Sequence, residues 1–179
     1  NLSHQPVMAG SDTTSLRIYG DLRLSPDMEY AFLGTLFFEA TSPGKTIESG
    51  ERIFLSDIIF QGNGGGWTLL DDFKSQGIVD FIRGTFNTDG YTVECRLFTS
   101  TSPEPRTILL NTSTIILGSW QIDATKLLLD ADKTVFEIGS SFATQNGGRI
   151  LYNDVNFNGP LGSLSSTNVY TVFDDVIFS

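Results

Sequence analysis

This chain has one cysteine, one histidine and few cations, and each scarcity closes off a chemistry. With Cys95 alone, no disulfide can form within the chain, and its setting in GYTVECRLF reads as a small buried apolar side chain rather than a reactive thiol. A Ser-His-Asp or Cys-His arrangement needs a histidine base, and the only candidate, His4, lies near the N-terminus. Tetrahedral zinc lacks ligands for the same reason. Lys and Arg number 11 against 21 Asp and Glu, a net charge of −10, which argues against nucleic acid and anionic membrane surfaces. No apolar run approaches the roughly 18 residues of a membrane span, and no charged-then-apolar leader is present. The chain starts at Asn1 instead of Met, as a processed product would.

What is abundant points to strands. Fourteen Phe, 18 Gly and many Ser and Thr suit pleated, half-buried segments separated by turns. Period-2 alternation recurs in about ten short segments from Ser15 onward, bounded by Gly, Pro, Asn, Asp and Ser. The expectation is an all-β protein, an antiparallel β-sandwich of jelly-roll type with at most one short helix. That helix would be TLLDDFKSQG, with Thr68 as N-cap and Asp71 and Asp72 in its first turn; a strand followed by a loop reads equally well. Residues 1–14, poor in apolar side chains, read as a flexible N-terminal arm, and residues 15–179 as a single domain.

One phrase recurs. RIFLSDIIF from Arg52 returns as RILYNDVNF from Arg149 and again, shortened, as FDDVIF from Phe173. Alternation places Phe54, Ser56, Ile58 and Phe60 inside in the first copy, Leu151, Asn153, Val155 and Phe157 in the second, and Val176 and Phe178 in the third. Asp57, Asp154 and Asp175 then point outward. Spacings of about 97 and about 21 residues are unequal, so the repeats read as shared strand grammar rather than duplication.

The C-terminal part resembles jelly-roll carbohydrate-binding modules at Gly118, Trp120, Asp130, Ala131, Asp132, Asp154, Val155 and Phe157, with Asp174 and Asp175 in a second closing strand. The resemblance implies an antiparallel jelly roll, a sugar-binding role and a structural calcium.

Sugar recognition uses an aromatic ring laid on an apolar sugar face beside polar side chains. Trp67, following the glycine-rich QGNGGG, is the candidate platform, with Asn63, Asp71 and Asp72 as polar partners and Tyr91 and Tyr152 as secondary candidates. Trp120 reads as a core residue. Calcium, which takes several hard oxygens, would fall to Asp174 and Asp175, with Asp71 and Asp72 or Asp12 and Asp21 as other pairs. The loop QGNGGGWT lacks the lysine of a phosphate-binding loop and reads as a flexible turn. Scattered glutamates supply no paired carboxylates for glycoside hydrolysis. The expected function is therefore a noncatalytic carbohydrate-recognition module or lectin, binding a glycan or polysaccharide. The alternative is an assembly protein (a viral capsid or spike domain, or a surface adhesin) acting as a homo-oligomer. Sequons at Asn1 and Asn111 lean toward an extracellular or surface location.

Overall fold

In the computed structural model, which describes residues 5–179, strands stack in parallel rather than in antiparallel hairpins. Along one face the ladder runs Ser15–Ile18, Thr35–Phe38, Ile58–Phe60, Ile78–Phe81, Val93–Ser100, Thr114–Asp123, Val135–Gln145 and Ser163–Thr167, each strand parallel to the next. Those strands mark eight coils of a β-solenoid, about 35 Å tall at the usual strand spacing of about 4.8 Å. We call this the second face. The first face precedes it in every coil, from Val7–Gly10 and Glu29–Phe32 to Asp154–Phe157 and Asp175–Phe178. A third face follows, through Leu22–Arg23, Lys45–Glu48, Gly66–Leu69, Gly84–Asn87, Arg106–Leu109 and Leu127–Asp130.

The jelly-roll sandwich is thereby overturned, together with the antiparallel pairing that the resemblance implied. Alternation gives the same pattern for a strand paired either way, so the side-chain period was right and the pairing direction was not in it. The step between paired residues carries the missing information. Ile78 pairs with Leu97, 19 residues on, and Leu22 with Ile47, 25 residues on, while Asp154 pairs with Asp175. That last pair relates the second and third copies of the repeated phrase as true neighbours in the solenoid. The first copy is out of phase with them, because Arg52 to Phe60 spans the first and second faces whereas Arg149 to Phe157 spans the third and first.

Stacking of like on like makes the core. Leu36, Ile58, Val79, Phe98, Trp120 and Phe142 occupy one inward column of the second face, and Ile18, Phe38, Phe60 and Phe81 the next. Phe38 lies 4.7 Å from Phe60 with 10° between rings, and Phe98 lies 5.0 Å from Trp120, so ring stacking follows the strand spacing. Phe54, Ile58, Phe60, Val155 and Phe157 are buried as the alternation required. Leu151 is exposed and Ile150 and Tyr152 are buried instead, because the chain turns a corner between them and Val155 and the alternation resets. Phe178 stacks on Phe157 at 4.4 Å but keeps its other surface exposed.

Among the described residues there is no helix, and none long and apolar enough to cross a membrane. The helical alternative for 68–77 gives way to strands Gly66–Leu69 and Phe73–Ser75. Within the segment read as an arm, Val7–Gly10 is a strand on Glu29–Phe32, and residues 1–4, with His4 and the Asn1 sequon, lie outside the described residues.

Burial governs three weak acids. It pushes the Tyr30 and Tyr152 phenols from 10.0 up to about 12, and the Cys95 thiol from 9.0 up to about 12. A raised folded-state value means that the unfolded chain ionises first, so this stability is intact below about 9 and is lost as pH rises toward about 12. Denaturant titrations across that window should show a falling unfolding free energy, with a shallower fall in Tyr152→Phe. Equal slopes in the two proteins would refute the assignment to Tyr152.

Candidate functional site

A coil that turns more tightly than its neighbours leaves a recess. Only Ile82 and Arg83 carry the chain from the second-face strand ending at Phe81 to the third-face strand starting at Gly84. In the coil before, residues 61–65 make the same passage, and in the coil after, residues 101–105. The short turn lies between two long ones, at the floor of a groove of about 350 Å³. Asn63 and Gly64 stand on one side, Glu104 and Pro105 on the other, and Thr85 and Thr107 continue the floor onto the third face.

Charge concentrates there. Arg83, Arg106 and Lys126 all line the groove against a single carboxylate, Glu104, in a chain whose net charge is −10. Register explains two of them. Gly84 pairs with Arg106 and Arg106 with Leu127, so Arg83 and Lys126 hold equivalent places two coils apart, about 10 Å along the axis. Arg106 is spent on structure, since it is buried, donates through Nη1 to Glu104 O at 2.9 Å and through Nη2 to Asp123 O and Thr125 O, and so ties successive turns together. Desolvation lowers its pKa, opposed by Asp123. Arg83 is different. Its Nε is buried without a partner, as that of Arg106 is, but where Arg106 gives its terminal nitrogens to backbone carbonyls, none of the described hydrogen bonds uses those of Arg83, and the ion pairs among the described residues, Arg17 with Glu39, Arg23 with Glu48 and Lys74 with Glu94, do not involve it.

The candidates chosen from the sequence scatter. Trp67 is 1% exposed, with its ring edge-on to Phe38 and Phe60, so it is no stacking platform. The glycine-rich turn before it is packed rather than flexible: Gly62, Gly65 and Gly66 are buried, and the chain dives inward through them. Asn63 alone reaches the groove. The Asp71 carboxylate accepts from Ser49 N at 2.7 Å, Ser49 Oγ at 2.9 Å and Gly50 N at 2.7 Å, and Asp72 Oδ1 accepts from Thr92 N at 2.9 Å. Both carboxylates pin the corner between the third and first faces. Tyr91 is partly exposed at that corner, and Tyr152 is buried, its hydroxyl within 2.8 Å of Thr144 Oγ1 and accepting from Trp120 Nε1 at 3.3 Å.

Asp174 and Asp175 are exposed, and among the described residues no three His, Cys, Asp or Glu side chains converge on a metal site. At Asn111 the amide nitrogen that would carry a glycan donates to Asn87 Oδ1 at 2.7 Å.

A second groove, of about 530 Å³, follows the corner between first and second faces, lined by Glu94, Arg96, Ile116 and Glu137. Its floor is a column of glycines, where a Cβ on Gly118 would lie 2.5 Å from Arg96 O. The two carboxylates here are engaged: Glu94 pairs with Lys74 at 3.9 Å, and Glu137 accepts from the side-chain amides of Asn156 and Asn158. Arg83, Thr85, Thr107 and Lys126 went unselected because their convergence appears only when the sequence is wrapped at the coil length. Neither family models, curated proteins nor solved structures give a match to this chain.

Proposed function

We propose that the chain is a noncatalytic glycan-binding module that holds its ligand in the groove floored by Arg83. The observation that carries this reading is a recess with unspent donors: the Arg83 guanidinium, which no ion pair among the described residues engages, flanked by Asn63, Thr85 and Thr107. Sugars present dense hydroxyls, and a polar, concave floor of this kind suits them. Solenoids also repeat a surface along their length, which favours extended ligands. Glycoside cleavage needs two carboxylates across the bond, and Glu104 is the only one lining the groove.

The test is an array of immobilised glycans probed with the intact chain and with Asn63→Ala and Thr107→Ala. Specific binding weakened several-fold by both changes supports the reading, while a blank array from folded protein overturns it. An assembly role is the second reading, favoured by exposed apolar side chains in the C-terminal coils: Leu161 at 82%, Tyr170 at 68% and Phe178 at 59%. Concentration-dependent association in sedimentation, reduced by Phe178→Ser, would support it.

A further inference from the structure

We infer that the groove selects anionic polysaccharide, with Arg83 gripping a carboxylate or sulfate group of the sugar and Lys126 meeting a second one further along the axis. This inference rests on the glycan reading above and specifies its substrate class.

Three observations converge. The chain is acidic overall, with 21 Asp and Glu against 11 Lys and Arg, so an anionic polymer is repelled by the molecule as a whole and favoured where cations gather. At this groove three cations gather against one carboxylate, and no ion pair among the described residues neutralises any of them. Second, a guanidinium presents a planar fork of donors that matches a carboxylate or sulfate edge, and Arg83 lines the groove, only half-buried, with no ion pair among the described residues engaging it. Third, the tight turn at Ile82 and Arg83 sets this guanidinium at the floor of the recess, where solvent screens it less than on an open face.

Register makes the arrangement directional. Arg83 and Lys126 are two strand spacings apart, about 10 Å, so a chain bearing successive charges laid along the solenoid axis meets both. Glu104, on the wall between them in sequence, opposes such a ligand. Its removal should strengthen binding.

Calorimetric titration of the intact chain tests this with four probes: a galacturonate oligosaccharide, its fully methyl-esterified form, a sulfated oligosaccharide and inorganic sulfate. The methyl ester keeps the rings and hydroxyls and removes only the charge. The free acid or the sulfated sugar should bind at least tenfold more tightly than the ester, and which of the two does so identifies the anion. Arg83→Gln should reduce that binding to the level of the ester, Lys126→Gln should weaken it less, and Glu104→Gln should tighten it, with unchanged circular dichroism verifying the fold. Equal binding of acid and ester, indifferent to Arg83→Gln, overturns the inference and leaves the glycan reading standing. Sulfate binding lost in Arg83→Gln, with no oligosaccharide bound, keeps the anion site and overturns the glycan reading. No binding by any probe overturns both.

Discussion

Phe60→Ala should destabilise the fold by about 4 kcal/mol, close to the largest loss a single truncation produces. Phe60 is fully buried and touches four aromatic rings: Phe38 stacked at 4.7 Å, Phe86 at 5.1 Å, Trp67 at 5.4 Å and Phe81 at 5.9 Å. Removing its ring deletes the transfer term and leaves a cavity that the surroundings cannot close, because Phe38 and Phe81 are each held in place by the parallel ladder on either side. Ile59, one position away on the outward side of the same strand, provides the contrast; Ile59→Ala should cost roughly 1 kcal/mol. Urea unfolding of the two variants decides it, and comparable losses would mean that the inward column is not the principal source of stability.

The second large effect comes from adding one carbon. In Gly65→Ala the new Cβ would stand 2.1 Å from Ala40 O and 2.9 Å from Trp67 Cη2. Relief requires two backbone segments to part, not a side chain to rotate, so a loss of about 3 kcal/mol is expected, at the upper end for overpacking. Gly148→Ala is the matched control, since a Cβ there meets nothing within 4 Å, and it should be neutral or slightly stabilising through the unfolded chain. Thermal unfolding of the pair tests the sign. A Gly65→Ala protein as stable as Gly148→Ala would show that the glycine turn is looser than its packing indicates. Because Gly64 and Asn63 form a wall of the groove, the same change should also weaken ligand binding.

Particular residues show how far the sequence could be read. Alternation correctly sent Phe54, Ile58 and Phe60 inward and marked the chain as all-β, since the period of two belongs to the strand itself. It failed at Leu151 because a corner resets the phase, and corners were not visible where no proline or glycine marks them. Asp71 and Asp72 were placed in the first turn of a candidate helix and as polar partners for a sugar. They do accept backbone N–H groups, but those of Ser49, Gly50 and Thr92 in neighbouring coils, so the chemistry was legible and its partner was not. Trp67 illustrates the opposite failure: glycines beside an aromatic suggest a mobile tip, and here they allow the chain to bury it. The step of 21 between Asp154 and Asp175 was the one number that held the architecture, and it took on meaning only when extended to every coil.

That near-constant step also bears on how the chain finds its structure. Each ladder contact closes a loop of 19 to 25 residues, and over that range the closure entropy varies by only about 0.2 kcal/mol. No coil is therefore favoured by chain length as the place to begin. The choice falls to side chains, and two ring clusters, around Phe60, Trp67, Phe81 and Phe86 and around Trp120, Phe136, Phe142 and Tyr152, offer the dense early reward. Growth can proceed from either in both directions, one coil templating the next, so the order of folding follows distance from these clusters rather than position from either terminus.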